Sequence, residues 1–541
     1  MINATSDSKN SCGAKLPDLF TATIEDLQFG LSHGHFTSVD LVKAYLARID
    51  EVNHQGPALH AVIETNPSAL SAAQTADELR KTGQSKTLLH GIPIMLKDNV
   101  ATRFEDGMNT TAGSYALLDS VVPGDATIAK KLRDAGAIIM GKASLSEWAN
   151  YRGSYSANGW SGRGGQATSA FYPQGDAGGS STGSGISTSI GLVTAAIGTE
   201  TDGSIISPAN RNNLVGIKPT VGLTSRYLVI PISQNQDTAG PMAKTVADAA
   251  TILSAIAGPD PRDNFTLAQP LPVPDYTKHL LKNALKGARI GVHYSVNPNQ
   301  TDGNYPEYIL QTFIHAIETV FRPLGAEIVD NINLDDITEI LASKNETIVL
   351  SYDFKYGINK YLSELVKIPT GATTIEGLIK FNADNPQLEL PLGRDNQTKF
   401  LAAANTTDLE DPVYIAALNA DHDLGRTRGI DATLQKYNLD AIVTPAPGYT
   451  SVPSAIAGYP IVTVPLGFLP ANTSVTPRPY GLPLYPAPNM PFGIAFVGTQ
   501  WSEARLIELA YSYEQATNIR LEGKPFALPT TQLKDIVCET D

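Results

Sequence analysis

Between Gly153 and Ser189 the chain is dominated by glycine and serine, and this run passes directly into Gly191-Leu192-Val193-Thr194-Ala195-Ala196-Ile197-Gly198, an apolar stretch of small residues. Composition alone would make the first part a flexible linker. A linker, however, joins two regions that each look complete, and this one feeds a segment that belongs in a core. Glycine here therefore reads as permission for close backbone approach, and the residues on either side must pack into one body.

The flanking patterns agree. Ahead of the run, helical spacing covers Ile24 to Leu31 and Leu41 to Ile49, with Thr37 and Asp40 as an acidic variant of a capping box. Leu59 to Ile63 reads as a strand and Ser68 to Lys81 as a helix. Gly91-Ile92-Pro93-Ile94-Met95-Leu96 is a short apolar run ending at Lys97-Asp98-Asn99, as a buried strand stopping at a polar edge would be. Asp125 is placed to cap a helix through Ile128 and Leu132, and Ala137 to Met140 follows as a strand. The alternation returns at Ala288 to His293, Tyr308 to Phe321, Ala326 to Val329 and Ala441 to Pro445, with a last helix from Glu503 to Gln515. Strand, helix, strand predicts an α/β sheet. Leu267 to Pro274 and the proline-rich Pro470 to Pro491 read as surface loops or pocket rims.

Several function classes are excluded at this stage. A formal net charge of -14 gives no basic face for phosphates, so nucleic acid is not an expected partner. There is no uninterrupted apolar run long enough for a membrane span, and Met1 to Leu16 is too polar for a secretory h-region. Cys12 and Cys538 are the only cysteines, so no zinc cluster is expected; a clasp between the chain ends and two unpaired thiols both remain open. Sequons at Asn3, Asn109, Asn264, Asn299, Asn345, Asn396, Asn405 and Asn472 favour a secreted glycoprotein, against a cytosolic chain with unused sequons. No metal and no organic cofactor is expected.

Three catalytic templates can be laid on the serine-rich segment. Gly179-Ser180-Ser181-Thr182-Gly183 loosely matches a nucleophile elbow, but Ala167 to Asp176 supplies no strand before it, and none of His279, His293, His315 or His422 sits in a context that suggests a base. Ser6-Asp7-Ser8-Lys9 matches S-x-x-K within a polar terminus, where a solvated lysine stays protonated. The third template is dispersed: His90-Gly91-Ile92-Pro93 to Lys97-Asp98, then Gly178-Gly179-Ser180-Ser181-Thr182-Gly183-Ser184, then Gly198-Thr199-Glu200-Thr201-Asp202-Gly203-Ser204-Ile205-Ile206-Ser207-Pro208-Ala209.

In all its parts this last constellation resembles the signature of the amidase signature family of serine hydrolases. The likeness continues through Gly216-Ile217-Lys218-Pro219-Thr220 and Gly222 and into Pro491 to Glu514. Asp202 stands where most members have glycine, and Ile206 where arginine is common. Asp202-Gly203-Ser204-Ile205 and Gln236 to Met242 resemble instead the peptide amidase branch and its fungal relatives.

The resemblance implies one large α/β/α domain over residues 1–541, a central mixed β-sheet covered by helices on both sides. Its signature core would span about 85–250, a variable specificity region about 260–430, and a return to the core about 435–520. It implies an acyl-enzyme on Ser204, with Ser180 as the bridging serine after a cis peptide bond and Lys97 as the base. Burial must lower the pKa of such a lysine. Thr201, Asp202, Gly203 and Ser204 are the natural oxyanion donors, Ser181 a brace for the lysine network, and Asn150 and Tyr151 the acyl side of the pocket. Asp202 is open between a loop-bracing carboxylate and a substrate role. Trp148 and Trp160 read as packing aromatics. The expected substrate is a small or peptide amide, and the protein a monomer or homodimer. The rival readings are an amidase component like that of the tRNA-dependent amidotransferase, a fatty or aryl amide hydrolase, and a catalytically silent binding relative.

Overall fold

The computed structural model describes residues 15–538 except 86, 155–156, 295–304, 331, 333, 335–336 and 447–450. Its strands, in chain order, are β1 (Val62–Thr65), β2 (Pro93–Lys97), β3 (Ile138–Ala143), β4 (Trp160–Ser161), β5 (Gly165–Gln166), β6 (Ala195–Glu200), β7 (Val215–Lys218), β8 (Thr238–Ala243), β9 (Arg289–Val292), β10 (Glu327–Val329), β11 (Ala441–Pro445), β12 (Ile461–Phe468) and β13 (Pro491–Val497). Eleven of them form one mixed sheet in the order β1-β3-β2-β6-β8-β7-β12-β13-β11-β9-β10; β4 and β5 make a separate small hairpin.

The middle of the sheet, from β6 to β11, is antiparallel, and the two flanks β3-β2-β6 and β11-β9-β10 are parallel. Parallel neighbours need crossovers, and the strand-helix-strand patterns of both halves supply them. Among the helices are α1 (Ile24–Ser32), α2 (Ser38–Val52), α3 (Ala69–Lys81), α4 (Thr127–Asp134), α5 (Thr182–Ser189), α6 (Ile206–Arg211) and α7 (Val246–Ile256). Helices α5 and α6 pack together against the sheet, while α4, α7 and the helix Glu503–Thr517 form a second packed group. β2, β3, β6, β8 and β11 are buried at every residue, and each large apolar side chain so buried contributes about 1.5–3 kcal/mol.

The serine-rich run is no linker. Every residue of α5 is buried. A Cβ on Gly183 would fall on the Ala61 carbonyl and the Ser144 amide, and the Gly183 N–H donates to the Ser144 carbonyl at 2.8 Å. Glycine is thus required where α5 crosses the start of the sheet.

Three local expectations need correction. The first strand begins at Val62 rather than Leu59, because Ala58 and His60 adopt positive φ and the Leu59 and His60 amides bond back to Val52 and Asn53. Asp125 does not cap α4; its carboxylate accepts instead from the Arg103 amide at 2.9 Å and Arg133 Nε at 3.0 Å, and the N-cap is Ala126. β3 runs on to Ala143, beyond Met140. The Thr37–Asp40 capping box on α2 is formed as expected. Trp148 is buried edge-on to Phe400, and Trp160 packs under the guanidiniums of Arg152 and Arg394. The Asn109 side chain is engaged, donating to Glu64 at 2.8 Å. Cys12, hence any Cys12–Cys538 clasp, Ser6 to Lys9, and the sequons at Asn3 and Asn299 lie outside the described residues. Among the described residues no helix is long and apolar enough to cross a membrane.

Candidate active site

The site forms where the buried ends of β2 and β6 meet the loop before α5 and the loop before α6. The parallel register sets Leu96 opposite Ile197, so Lys97 ends β2 close to Thr199. Lys97 is completely buried, and its Nζ donates to Ser180 Oγ at 2.7 Å, to Thr199 Oγ1 at 2.9 Å and to the Thr199 carbonyl at 3.1 Å. Burial pulls its pKa down to about 7, against the opposing pull of the Asp237 and Glu200 carboxylates. Asp98 does not share this network. Its carboxylate accepts from Thr111 Oγ1 at 2.6 Å and the Gly113 amide at 2.9 Å, on the side facing Lys142 and Arg163.

Ser180 follows a cis Gly179–Ser180 peptide and is fully buried. The next residue ties two loops together: the Ser181 amide donates to the Ser204 carbonyl at 3.2 Å, and Ser181 Oγ donates to the Thr199 carbonyl at 3.1 Å. Ser204 comes after Gly203, whose φ of 79° suits glycine. Beyond Ser204 the chain turns into α6, and the Glu200 carboxylate accepts from the amides of Ile205 at 2.6 Å and Ile206 at 2.8 Å. Glu200 thereby fixes the turn that presents Ser204. Thr201 Oγ1 donates to Asp237 at 2.6 Å, and burial raises Asp237 to about 6.

Ser204 borders a cavity of about 470 Å³ together with Thr201, Asp202, Asn150 and Tyr151. Lys97, Ser180, Ser181 and Gly203 do not line it; the first three are buried with no exposed surface. Asn150 ends three consecutive left-handed residues, Trp148 to Asn150, which turn Asn150 and Tyr151 into the cavity at a cost of about 1–2 kcal/mol per residue. Among the described residues no histidine borders the cavity. A smaller cavity of about 210 Å³, bordered by Asp237, Arg226 and Tyr356, holds no serine of the signature. Among the described residues no cluster of three His, Cys, Asp or Glu side chains could hold a metal ion.

Sequence reasoning missed Thr199, Asn99 and Glu200, and the far wall of the cavity. Asn99 Nδ2 donates to Thr199 Oγ1 at 3.0 Å and so orients the hydroxyl that meets Lys97. All three lie within the signature segments, so their positions were legible but not their bonds. Glu346, at the start of the helix Asn345–Glu364, and Lys399, on the helix Thr398–Ala404, complete the wall from a region without motif.

Comparisons with known proteins identify the family to which the chain belongs. The family model described as Amidase matches residues 40–507. Native peptide amidase from Stenotrophomonas maltophilia superposes with a TM-score of 0.83 at 39% identity, covering 94% of this chain and 99% of that one. A protein of Arthroderma benhamiae named "Putative amidase" is 41% identical over 96% of this chain and 90% of its own length. A glutamyl-tRNA(Gln) amidotransferase component from Caldanaerobacter subterraneus subsp. tengcongensis is 30% identical over 94% of this chain and 99% of its own. With the family model spanning most of its length and relatives above 30% identity along nearly all of it, the chain belongs to the amidase family and is a hydrolase of carbon–nitrogen amide bonds.

Proposed function

We propose that the chain hydrolyses small or peptide amides, C-terminal peptide amides among them, through an acyl-enzyme on Ser204. The observation that carries this reading is the 2.7 Å contact of a neutralisable Lys97 with Ser180, beside a loop bonded to the backbone of the cavity-lining Ser204. A lysine held near pH 7 by burial has a lone pair to offer at neutral pH.

In this mechanism neutral Lys97 takes the Ser180 proton as Ser180 takes that of Ser204, and Ser204 Oγ bonds to the amide carbonyl carbon. Backbone N–H groups of Thr201 to Ser204 receive the developing oxyanion, within a buried setting where such dipoles count for more than in water. The proton returns along the same path to the leaving nitrogen as the carbon–nitrogen bond breaks. Ammonia or an amine departs. Water then loses a proton to the same chain, attacks the ester and frees Ser204. No step calls for a cofactor, and neither nucleic acid nor a membrane has a part in it.

The name of the Stenotrophomonas relative supports a peptide amide over a fatty amide, as does the polar wall of the cavity. The amidotransferase reading rests on a relative at 30% identity, below the 39–41% of the amidases. Ser204→Ala should abolish both turnover and fluorophosphonate labelling while leaving the melting temperature within a few degrees of the parent. Labelling that persists in the alanine variant would remove Ser204 from the mechanism. A clear preference for long-chain fatty amides over C-terminally amidated dipeptides would overturn the substrate class.

A further inference from the structure

The cavity beside Ser204 carries an unusual polar wall. Asp202, Glu346 and Lys399 all border it, two carboxyls against a single amine. The amine is already engaged: Lys399 Nζ donates to the Asn150 carbonyl at 3.0 Å and lies 5.2 Å from the centre of the Tyr151 ring. Glu346 accepts from Gln236 Nε2 at 2.9 Å. Two polar atoms of cavity-lining side chains, Asp202 Oδ1 and Asn150 Oδ1, are buried without a hydrogen-bond partner among the described residues, and both are acceptors. Among the described residues no cavity-lining side chain has an orphaned buried donor. A wall with two orphaned acceptors and more carboxyls than amines is complementary to a ligand that brings N–H groups and positive charge.

We propose that this cavity seats the protonated amino group of an amide substrate carrying a free α-amine, with Asp202 and Glu346 as the carboxyls that receive it. An α-ammonium lies one carbon from the scissile carbonyl, and Asp202, Glu346 and the nucleophile Ser204 border the same cavity of about 470 Å³, so both ends of such a substrate meet one wall. The acids are poised for the exchange. Burial, then the neighbouring Asp202 and Asp421, pushes Glu346 up to about 8 against the pull of Gln236 and Lys399, so at neutral pH the empty site keeps a proton there. An entering ammonium takes over the role of that proton, which leaves to solvent. Ile232, Leu350 and Ala402 give the remaining wall an apolar surface for an aliphatic side chain.

The inference rests on the small-amide reading above, and the experiment separates the two. Leucinamide and its near-isosteric neutral analogue 2-hydroxy-4-methylpentanamide are compared at pH 6.5, where the α-amine, with a usual pKa of about 8, is charged. Taking the ratio of kcat/KM cancels the titration of Lys97. The parent should favour leucinamide at least about tenfold. Glu346→Gln, which keeps the acceptor that meets Gln236, should lose most of that preference. A parent that turns over the hydroxy analogue equally well, or an unchanged preference in Glu346→Gln, overturns the proposal while leaving amide hydrolysis intact. Turnover of neither substrate refutes the small-amide reading and the proposal with it.

Discussion

Replacing Lys97 with methionine should stabilise the protein more at low pH than at high pH while destroying its activity. Burial lowers the Lys97 pKa from 10.5 to about 7, so the unfolded chain holds the proton more tightly than the folded one. The resulting cost to folding is full below pH 7, about 5 kcal/mol, and fades as the pH rises from 7 to 10.5. Methionine fills a similar volume without that cost. Against this gain, Ser180 Oγ loses its donor, and an orphaned buried group costs about 1–3 kcal/mol, while the Thr199 hydroxyl and carbonyl keep Asn99 and Ser181 as donors. This loss does not vary with pH, so it offsets part of the advantage without changing its slope. Between pH 6 and pH 9 the stability of Lys97→Met relative to the parent should fall by about 3 kcal/mol. Urea denaturation of both proteins at the two pH values measures it. A relative stability flat with pH would refute the claim that Lys97 is carried neutral. In activity both Lys97→Met and Lys97→Arg should lose roughly 10³ or more in kcat, arginine because it cannot deprotonate. Near-parental turnover by the arginine variant would remove the lysine base.

The parent kcat/KM should fall on the acid side of an inflection near pH 7, where Lys97 takes up its proton, and a profile flat down to pH 5 would contradict this. Glu200→Ala frees the Ile205 and Ile206 amides, so we expect a loss of about 3 kcal/mol in stability and about 10²-fold in kcat, with Glu200→Gln milder; equal effects in calorimetry and kinetics would sink that assignment. EDTA should leave turnover unchanged, and inactivation reversed by zinc would count against a mechanism built on the serines and lysine alone.

Much of the site was legible because its chemistry is written in short local runs. The apolar strand ending at Lys97, the glycines that let α5 pass Ser144, and the turn at Gly203 each need particular residues at fixed spacing. The sheet was legible as an alternation, and its two parallel flanks coincide with the two stretches where strand, helix and strand recur. What failed was decided by contacts across long separations. Asp125 has the chemistry of a helix cap, yet the backbone amide of Arg103 and the guanidinium of Arg133 compete for it and win. Glu346 and Lys399 carry no local signal at all, because only the packing of two distant helices brings them to the cavity that Ser204 borders.

Burial and a lowered pKa alone would not have singled out Lys97. Lys142, Lys218 and Lys244 are as fully buried, and burial lowers the first two to about 8 and the third to about 7. Their partners separate them. Lys142 Nζ donates to the Val100 carbonyl and Thr110 Oγ1, Lys218 Nζ to the Tyr459 carbonyl, and Lys244 Nζ to the carbonyls of Leu19 and Ala22. Among these four, Lys97 alone meets a serine, and that serine adjoins the residue bonded to the Ser204 backbone. Lys244→Met is therefore the control with matched electrostatics. It relieves a similar cost of carrying a buried charge and leaves the Leu19 and Ala22 carbonyls without their donor at about 1–3 kcal/mol each, so its stability relative to the parent should also fall as the pH rises from 7. Activity per folded site, counted by fluorophosphonate titration, should stay within about twofold of the parent, with the same acid inflection. An inflection that vanished in Lys244→Met and survived in a residually active Lys97→Met would assign the titrating base to Lys244 and end the argument from geometry.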